Sequence, residues 1–584
     1  MNTLYYGDNL GWLQTVPDES VDLIYLDPPF NSKATYNILY KSPDGAKDRA
    51  QYKAFTDAWS WGEAADEAFR QVMVSGSSAA GILGALHNFM GKSDLMAYLA
   101  MMTIRLIEMR RTLAPTGSLY LHCDSTASHY LKTILDAVFG GAAFRNEIIW
   151  KRSHAHSDGK QGARHFGRVT DTILFYAKSD KAIWNTQHLP YDDKYVERDY
   201  RRVDESGRRY RLDNIQGPGG AEKGNPFYEV MGVSRHWRYS QAKMQELVDQ
   251  GRIIQTRPGA VPQYKRYLDE MPGVPLQNLW ADLPVLNNRS KEVLGYPTQK
   301  PLALLDRIVA ASSNPGDVVL DPFCGCGTAI EAAQALNRRW IGMDITVLAI
   351  DVVERRLLRK YKALQRNSDY EVKGVPVSTD GARRLAKDDP HEFQLWALTL
   401  IDGQPRNEGK KGSDGGVDGL IYYKDGAAAI GQAIVSVKGG ENVGPTDVRD
   451  LIGTMNNQNA KLGAFITLAR PTPKMLKTAA EAGSIEVGGQ HRPRVQIRTI
   501  EELLQPGRRG RLDLPPVYDI ISSVAAARRT SGKKRPKTIT PEQIRREPPL
   551  RLSFKGGKSD AQKGLPLEEP LLVTERPKRS RKAS

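Results

Sequence analysis

DVVLDPFCGCGTAIEAAQALNRRWIGMDI (residues 317–345) holds, in order, a short apolar run, a glycine-punctuated turn, an alanine-rich stretch and a second apolar run ending in an acid. Strand, turn, helix and strand in that order make one βαβ unit of a parallel sheet. Gly325 and Gly327 allow tight turning and close approach of backbone to a ligand. A side chain at either position is expected to intrude on the ligand or to demand a positive φ. The spacing is FxGxG rather than GxGxxG, and no Gly-Lys-Ser/Thr follows, which excludes a phosphate-binding P-loop. Asp344 closes the second strand about 20 residues on, where an acid holds ribose hydroxyls. Loop and acid together predict an adenosine-containing cofactor. Cys324 and Cys326, two apart with no further Cys or His nearby, read as loop packing rather than a metal site.

The same alternation extends in both directions. VDLIYL (21–26) is a continuous apolar run halted by Asp27-Pro28-Pro29-Phe30. Two prolines cannot continue a central ladder, so the chain leaves the sheet there. Ligands of open α/β sheets bind outside the carboxyl ends of the strands. At such an end Asp27 can accept a hydrogen bond from an exocyclic amine and Phe30 can stack on a flat ring. Residues 95–113 and 130–139 read as helices; 118–123 and 170–178 read as strands. After an Arg-, Tyr-, Gly- and Pro-rich stretch (180–285), the pattern returns with helices at 302–312 and 346–365. Residues 366–388 carry little sustained pattern and read as a linker. A second α/β unit spans about 389–512. Beyond 513 the chain is rich in Pro, Lys and Arg and reads as a disordered tail.

Composition narrows the classes. The chain has 584 residues, 40% hydrophobic and 26% charged, enough for several domains. Three cysteines exclude a disulfide-built scaffold. No apolar run reaches the roughly 20 residues of a membrane helix, and the N-terminal stretch has no signal-peptide character; a cytoplasmic protein without membrane association is expected. The formal charge of +16 is uneven. Residues 521–584 hold 17 Lys/Arg against 6 Asp/Glu, so most of the surplus sits in the tail. The charge therefore predicts non-specific phosphate affinity there.

DPPF upstream, FCGCG downstream and the Arg/Tyr-rich insert between them resemble the amino-group DNA methyltransferases of the permuted β class, in a type III-like form. Gly7-Asp8-Asn9 and Thr298-Gln299-Lys300-Pro301 resemble the segments of that family that flank its cofactor, and HWRYSQAKMQELVDQGRI (236–253) resembles its recognition regions. The resemblance covers residues 1–365 and implies a Rossmann-like, S-adenosylmethionine-dependent methyltransferase acting on double-stranded DNA. It implies catalytic roles for Asp27, Pro28, Pro29 and Phe30, and cofactor roles for Asp8, Thr298, Lys300, Asp321, Phe323, Gly325, Gly327 and Asp344. Hydrogen bonds from the target amine to Asp27 and to the Pro28 carbonyl would free the nitrogen lone pair for attack on the methyl group. The base must be flipped out of the duplex. DPP followed by Phe favours adenine N6; cytosine N4 is the alternative.

Asp414-Gly415-Gly416-Val417-Asp418-Gly419, followed by AIVSVKGG (433–440), resembles the PD-(D/E)xK core of Mrr-like restriction endonucleases. That resemblance implies Asp418 as a Mg²⁺ ligand, Lys438 beside the metal and Glu392 as a further ligand. Ser436 stands where the family has an acid or glutamine, which weakens the metal site. The expectation is a fused modification and restriction enzyme with weak Mg²⁺-dependent cleavage, independent of methylation, and a homodimeric form is open. The rivals are a solitary modification enzyme whose nuclease-like domain only binds DNA, and a DNA-binding protein in which neither centre turns over.

Overall fold

Val21–Leu26 is apolar on both faces because both faces of its sheet are covered. Ile24 and Leu26 join one buried cluster, while Leu23 and Tyr25 join another on the opposite side. Alternation of side chains along a strand requires this division. The computed structural model places this strand at the centre of a nine-stranded sheet. It describes residues 1–29, 60–153, 164–283, 286, 290, 292–294, 296, 298–406, 417–426, 429–505 and 511–518, with backbone alone for 35–39 and 51–56. All of these lie in one compact unit, Met1–Arg529.

From edge to edge the sheet runs Leu279–Trp280, Phe144–Lys151, Thr170–Ala177, Leu113–Cys123, Val21–Leu26, Val318–Asp321, Arg339–Asp344, Asn2–Tyr6 and Tyr370–Lys373. Neighbours are parallel except where Thr170–Ala177 lies antiparallel to both of its partners. Val21–Leu26 and Val318–Asp321, some 300 residues apart in sequence, are adjacent, with Leu23 opposite Val319 and Ile24 opposite Leu320. Strand order reverses between them, which makes the crevice at their carboxyl ends the ligand site of an open α/β sheet. The helices Glu63–Val74, Ala79–Met90, Asp94–Thr112 and Ser128–Phe139 cover one face. Leu302–Ser312, Thr328–Ala335 and Val347–Lys360 cover the other.

The region expected as an insert builds its own small body. A four-stranded antiparallel sheet and a hairpin (Phe227–Val230 with Val233–His236) enclose Ile215, Trp237, Met244, Leu247 and Ile253. Several of its arginines are held internally. Arg208 and Arg252 both pair with Glu270 (2.7 and 2.5 Å) and both sit over the ring of Tyr267.

Two expected boundaries do not hold. Residues 366–388 are no featureless linker. Tyr370–Lys373 is the edge strand of the main sheet, parallel to Asn2–Tyr6, and Thr379–Asp388 is a helix. A four-residue strand is too short to display a period, and Tyr370, fully buried, carries most of its packing. Residues 513–518, expected as tail, are also structured, and the rest of the expected tail lies outside the described residues. Leu512, Leu514 and Val517 pack on the C-terminal core, Lys424 N–H donates to the Pro516 carbonyl (3.0 Å) and Tyr518 N–H to that of Tyr422 (2.8 Å). Truncation after residue 518 is therefore expected to flatten the salt dependence of DNA binding without changing Tm by more than about 1 °C. Truncation after 512 should lower Tm by several degrees, because it removes the partly buried Leu514 and Val517 and the Asp513–Arg492 ion pair. Binding isotherms at several salt concentrations, with thermal melts, check both.

The C-terminal module is a five-stranded sheet ordered Gln404–Pro405, Gly419–Asp425, Ala429–Lys438, Leu462–Thr467 and Val495–Thr499. The long antiparallel hairpin 419–438 continues into two parallel strands, with Pro390–Thr399, Pro445–Asn457 and Pro473–Glu481 packed around it.

Candidate active site

A cavity of about 350 Å³ opens where the sheet reverses its strand order. Asp8, Asp27, Pro28, Pro29, Thr298, Lys300, Asp321, Phe323, Gly325 and Asp344 all line it. Sequence positions separated by more than 300 residues thus meet around one space. Phe30 lies outside the described residues. Gly327 does not line the cavity. It has φ +73°, and a Cβ there would stand 2.7 Å from Val353, so its role is to let the loop lie against the helix Val347–Lys360. Gly325, at φ +49°, faces Tyr296.

Asp27 follows Tyr25 by two residues and so belongs to the same face of the sheet. Its Oδ2 is paired with the Lys300 ammonium. Its Oδ1 is buried and has no hydrogen-bond partner. A buried acceptor without a partner is costly, by about 1–3 kcal/mol, and its natural complement is an N–H brought by a ligand. Lys300, assigned from sequence to the cofactor, is thus also the countercharge of the catalytic candidate.

The Gly7-Asp8-Asn9 turn is clasped from two sides. Arg105, 4% exposed, donates to Asp8 Oδ1 (2.8 Å) and to Asn9 Oδ1 (2.6 Å), while Asn9 Nδ2 donates to the Pro322 carbonyl (2.6 Å). Burial of a guanidinium is tolerated only with such partners. This clasp fixes the first strand's turn to the Asp321 loop. Sequence reading missed Arg105, although a lone arginine inside the apolar run LMAYLAMMTIRLIEM signals a buried charge partner. Tyr25 was also missed. Its hydroxyl meets His122 Nδ1 (3.1 Å), His122 Nε2 meets Asp171 (3.2 Å), and Asp171 pairs with Arg152 (2.8 Å).

Asp344 accepts from Gly325 N–H (3.0 Å) and from the Thr346 N–H and hydroxyl (both 2.9 Å). The acid therefore shapes the glycine loop as well as facing the cavity. Burial raises its proton affinity against those bonds. Burial pushes Asp321 well above the usual carboxylate range, with Asp27 and Asp344 adding to the effect. Asp8, Asp27, Asp321 and Asp344 face this space, with Lys300 and Arg105 as the basic residues among those that line it. Cys324 and Cys326 are buried within the loop, as expected of packing residues.

The nuclease-like residues only partly converge. Asp418 Oδ2 accepts from Val437 N–H (2.6 Å) and from the Ser436 hydroxyl (3.4 Å), and Oδ1 from Gln394 (3.2 Å). Lys438 ends the strand that carries Ser436 and Val437. Glu392 is not part of this cluster. Two residues before Gln394 on a helix, it points the other way and accepts from the Tyr6 hydroxyl (3.3 Å). Residues two apart on a helix do not share a face. Among the described residues Asp418 is thus the single carboxylate of its cluster, and no group of three metal-binding side chains exists among them; Asp414, Gly415 and Gly416 lie outside the described residues. Mg²⁺ prefers about six oxygen ligands, with carboxylates among them. An amide, a hydroxyl and one carboxylate already bonded to N–H groups do not fit it.

The profile of the DNA methylase family matches residues 21–355, more than half of the chain, and the chain belongs to that family. Residues 390–505 match a second profile, described as NACHT-associated inactive restriction endonuclease 1. The type II methyltransferase M.EcaI of Enterobacter cloacae is 35% identical over 263 residues, covering 44% of this chain and 57% of that protein. The Mod subunit of the type III restriction-modification enzyme StyLTI of Salmonella typhimurium is 27% identical over 364 residues, covering 59% and 52%. The chain thus spans little more than half the length of either relative. Among solved structures, a protein of Thermus thermophilus assigned as a DNA modification methylase, complexed with S-adenosyl-L-methionine, is 17% identical, with TM-score 0.31 over 64% of this chain and 98% of that one.

Proposed function

We propose that the chain transfers a methyl group from S-adenosylmethionine to the N6 amine of adenine in double-stranded DNA. The unpartnered, buried Oδ1 of Asp27 at the lip of the cavity carries this reading. Asp8, Thr298, Lys300, Asp321, Phe323, Gly325 and Asp344 would hold the cofactor, whose net positive charge suits a cavity edged by carboxylates. When bound, it supplies an electrophilic methyl group. Asp27 Oδ1 accepts one N–H of the amine and the Pro28 carbonyl the other. Two such acceptors draw the nitrogen out of conjugation with the ring and expose its lone pair. The proton lost from N6 passes to Asp27, while Lys300 holds the other carboxylate oxygen in place. Residues 180–285 are the part that reads the flipped base's sequence context, and the protein acts in the cytoplasm. Mass spectrometry of nucleosides from DNA incubated with purified protein and labelled cofactor is the test. N6-methyladenine is expected; N4-methylcytosine would reassign the base, and no incorporation would reject the reading.

The C-terminal module is best read as a DNA-binding nuclease relic. Among the described residues, one carboxylate, already engaged, stands where metal-dependent cleavage needs an acidic set. Supercoiled plasmid is expected to stay intact with millimolar Mg²⁺ or Mn²⁺, methylated or not. Cutting that disappears in Lys438→Ala would reinstate a nuclease.

A further inference from the structure

Glu392 sits on a module that matches a different family, yet its carboxylate serves the methyltransferase cavity. It accepts the Tyr6 hydroxyl at 3.3 Å and the backbone N–H of Val347. Tyr6 precedes Gly7 and Asp8, which line the cavity; Val347 follows Asp344, Ile345 and Thr346, which line it from the end of the adjacent strand. Val347 is also the first residue of a 14-residue helix, whose N-terminus favours a carboxylate. The contact is not isolated. Val347, Leu348 and Ala349 share one buried cluster with Phe393 and Trp396 of the C-terminal module, and with Tyr296 and Cys326 of the cavity wall. Arg355 of the same helix pairs with Asp402 (2.7 Å).

We propose that Glu392 is a positioning residue for binding of the methyl donor, through which the C-terminal module holds the two strand ends that grip the adenosine moiety. The inference rests on the S-adenosylmethionine reading of the cavity. Burial, then the nearby Asp389, push the Glu392 carboxyl up to about 7, with Asp344 adding to the effect. The groups facing it are Asp389 at the start of its own helix, Asp344 from the strand end and the Tyr6 phenol. Protonation removes one of the two acceptor sites. Donor affinity carried by this contact is therefore complete only well above pH 7 and falls as pH drops through it.

The test is calorimetric titration of the full chain with S-adenosylmethionine between pH 6 and 8. Glu392→Ala is expected to weaken binding about tenfold at pH 8, as loss of a charged acceptor bonded to two donors implies. Glu392→Gln should lose less and should remove the pH dependence near 7, and Tyr6→Phe should give an intermediate loss. Glu481→Gln, at the exposed end of the helix Pro473–Glu481 in the same module, should bind as wild type. Thermal melts identify any variant that has lost its fold, in which case Glu392→Gln and Tyr6→Phe decide. Wild type that binds, with folded Glu392 variants that bind equally well and keep the same pH profile, overturns the inference alone. Wild type that shows no binding overturns the cofactor reading and the inference with it.

Discussion

Asp27→Ala is expected to reduce methyl transfer by about 1,000-fold or more, with cofactor affinity held within a few-fold. Loss of one positioned group that acts on developing charge costs about 100- to 1,000-fold. In the proposed reaction the same residue would also orient the amine and accept its proton, which adds to the expected loss. Affinity is spared because Asp27 stands at the end of Val21–Leu26, whereas the glycine loop and Asp344 belong to the neighbouring strands on the other side of the crevice. Lys300 complicates the alanine variant by losing the Asp27 carboxylate in a largely buried place. Asp27→Asn, which keeps the shape and one acceptor, separates the effects. It should bind cofactor as wild type and still transfer methyl groups slowly. Equal loss of affinity and turnover in both variants would mean that Asp27 holds the cofactor instead.

Much of the site was legible because each motif sits where an apolar run stops. VDLIYL ends at Asp27 and DVVL at Asp321, so two strand ends could be named before their adjacency was known. Their adjacency, through Leu23 opposite Val319, is a long-range pairing that no local pattern encodes. Arg105 and the partners of Asn9 were hidden for the same reason, since they come from distant segments. Glu392 misled because helix phase, rather than spacing from Asp418, decides which side chain faces the cluster. Gln394 holds that place. The edge strand Tyr370–Lys373 and the ordered segment 511–518 are short, and both owe their structure to the sheets they join. The consequence of the first is functional, because what read as a spacer instead ties the C-terminal module to the cofactor side of the cavity.

Gly327→Leu should abolish measurable cofactor binding and lower Tm by about 5–10 °C. The sequence suggests that a side chain here would intrude on the cofactor or demand a positive φ. The structure favours the second cause and adds a packing contact. Gly327 precedes the helix Thr328–Ala335 with φ +73°, a conformation that costs a residue with a Cβ about 1–2 kcal/mol. Its Cβ would also stand 2.7 Å from Val353, and forcing extra atoms into a packed contact costs about 1–3 kcal/mol more. Relief requires the helix Val347–Lys360 or the loop to move. The loop is tied by Gly325 N–H to Asp344 and by Cys324 N–H to the Met343 carbonyl (2.9 Å), so its movement unmakes the cavity wall. Gly327→Ala keeps the φ cost and the Cβ contact without the longer side chain and should lose less, and Val353→Ala added to Gly327→Leu should recover part of the stability. Calorimetric titration and thermal melts of the three variants give the answer. A Gly327→Leu protein that binds cofactor as wild type would show that the loop has no part in holding it, whereas one that keeps its Tm but loses binding would return the side chain to the cofactor's space.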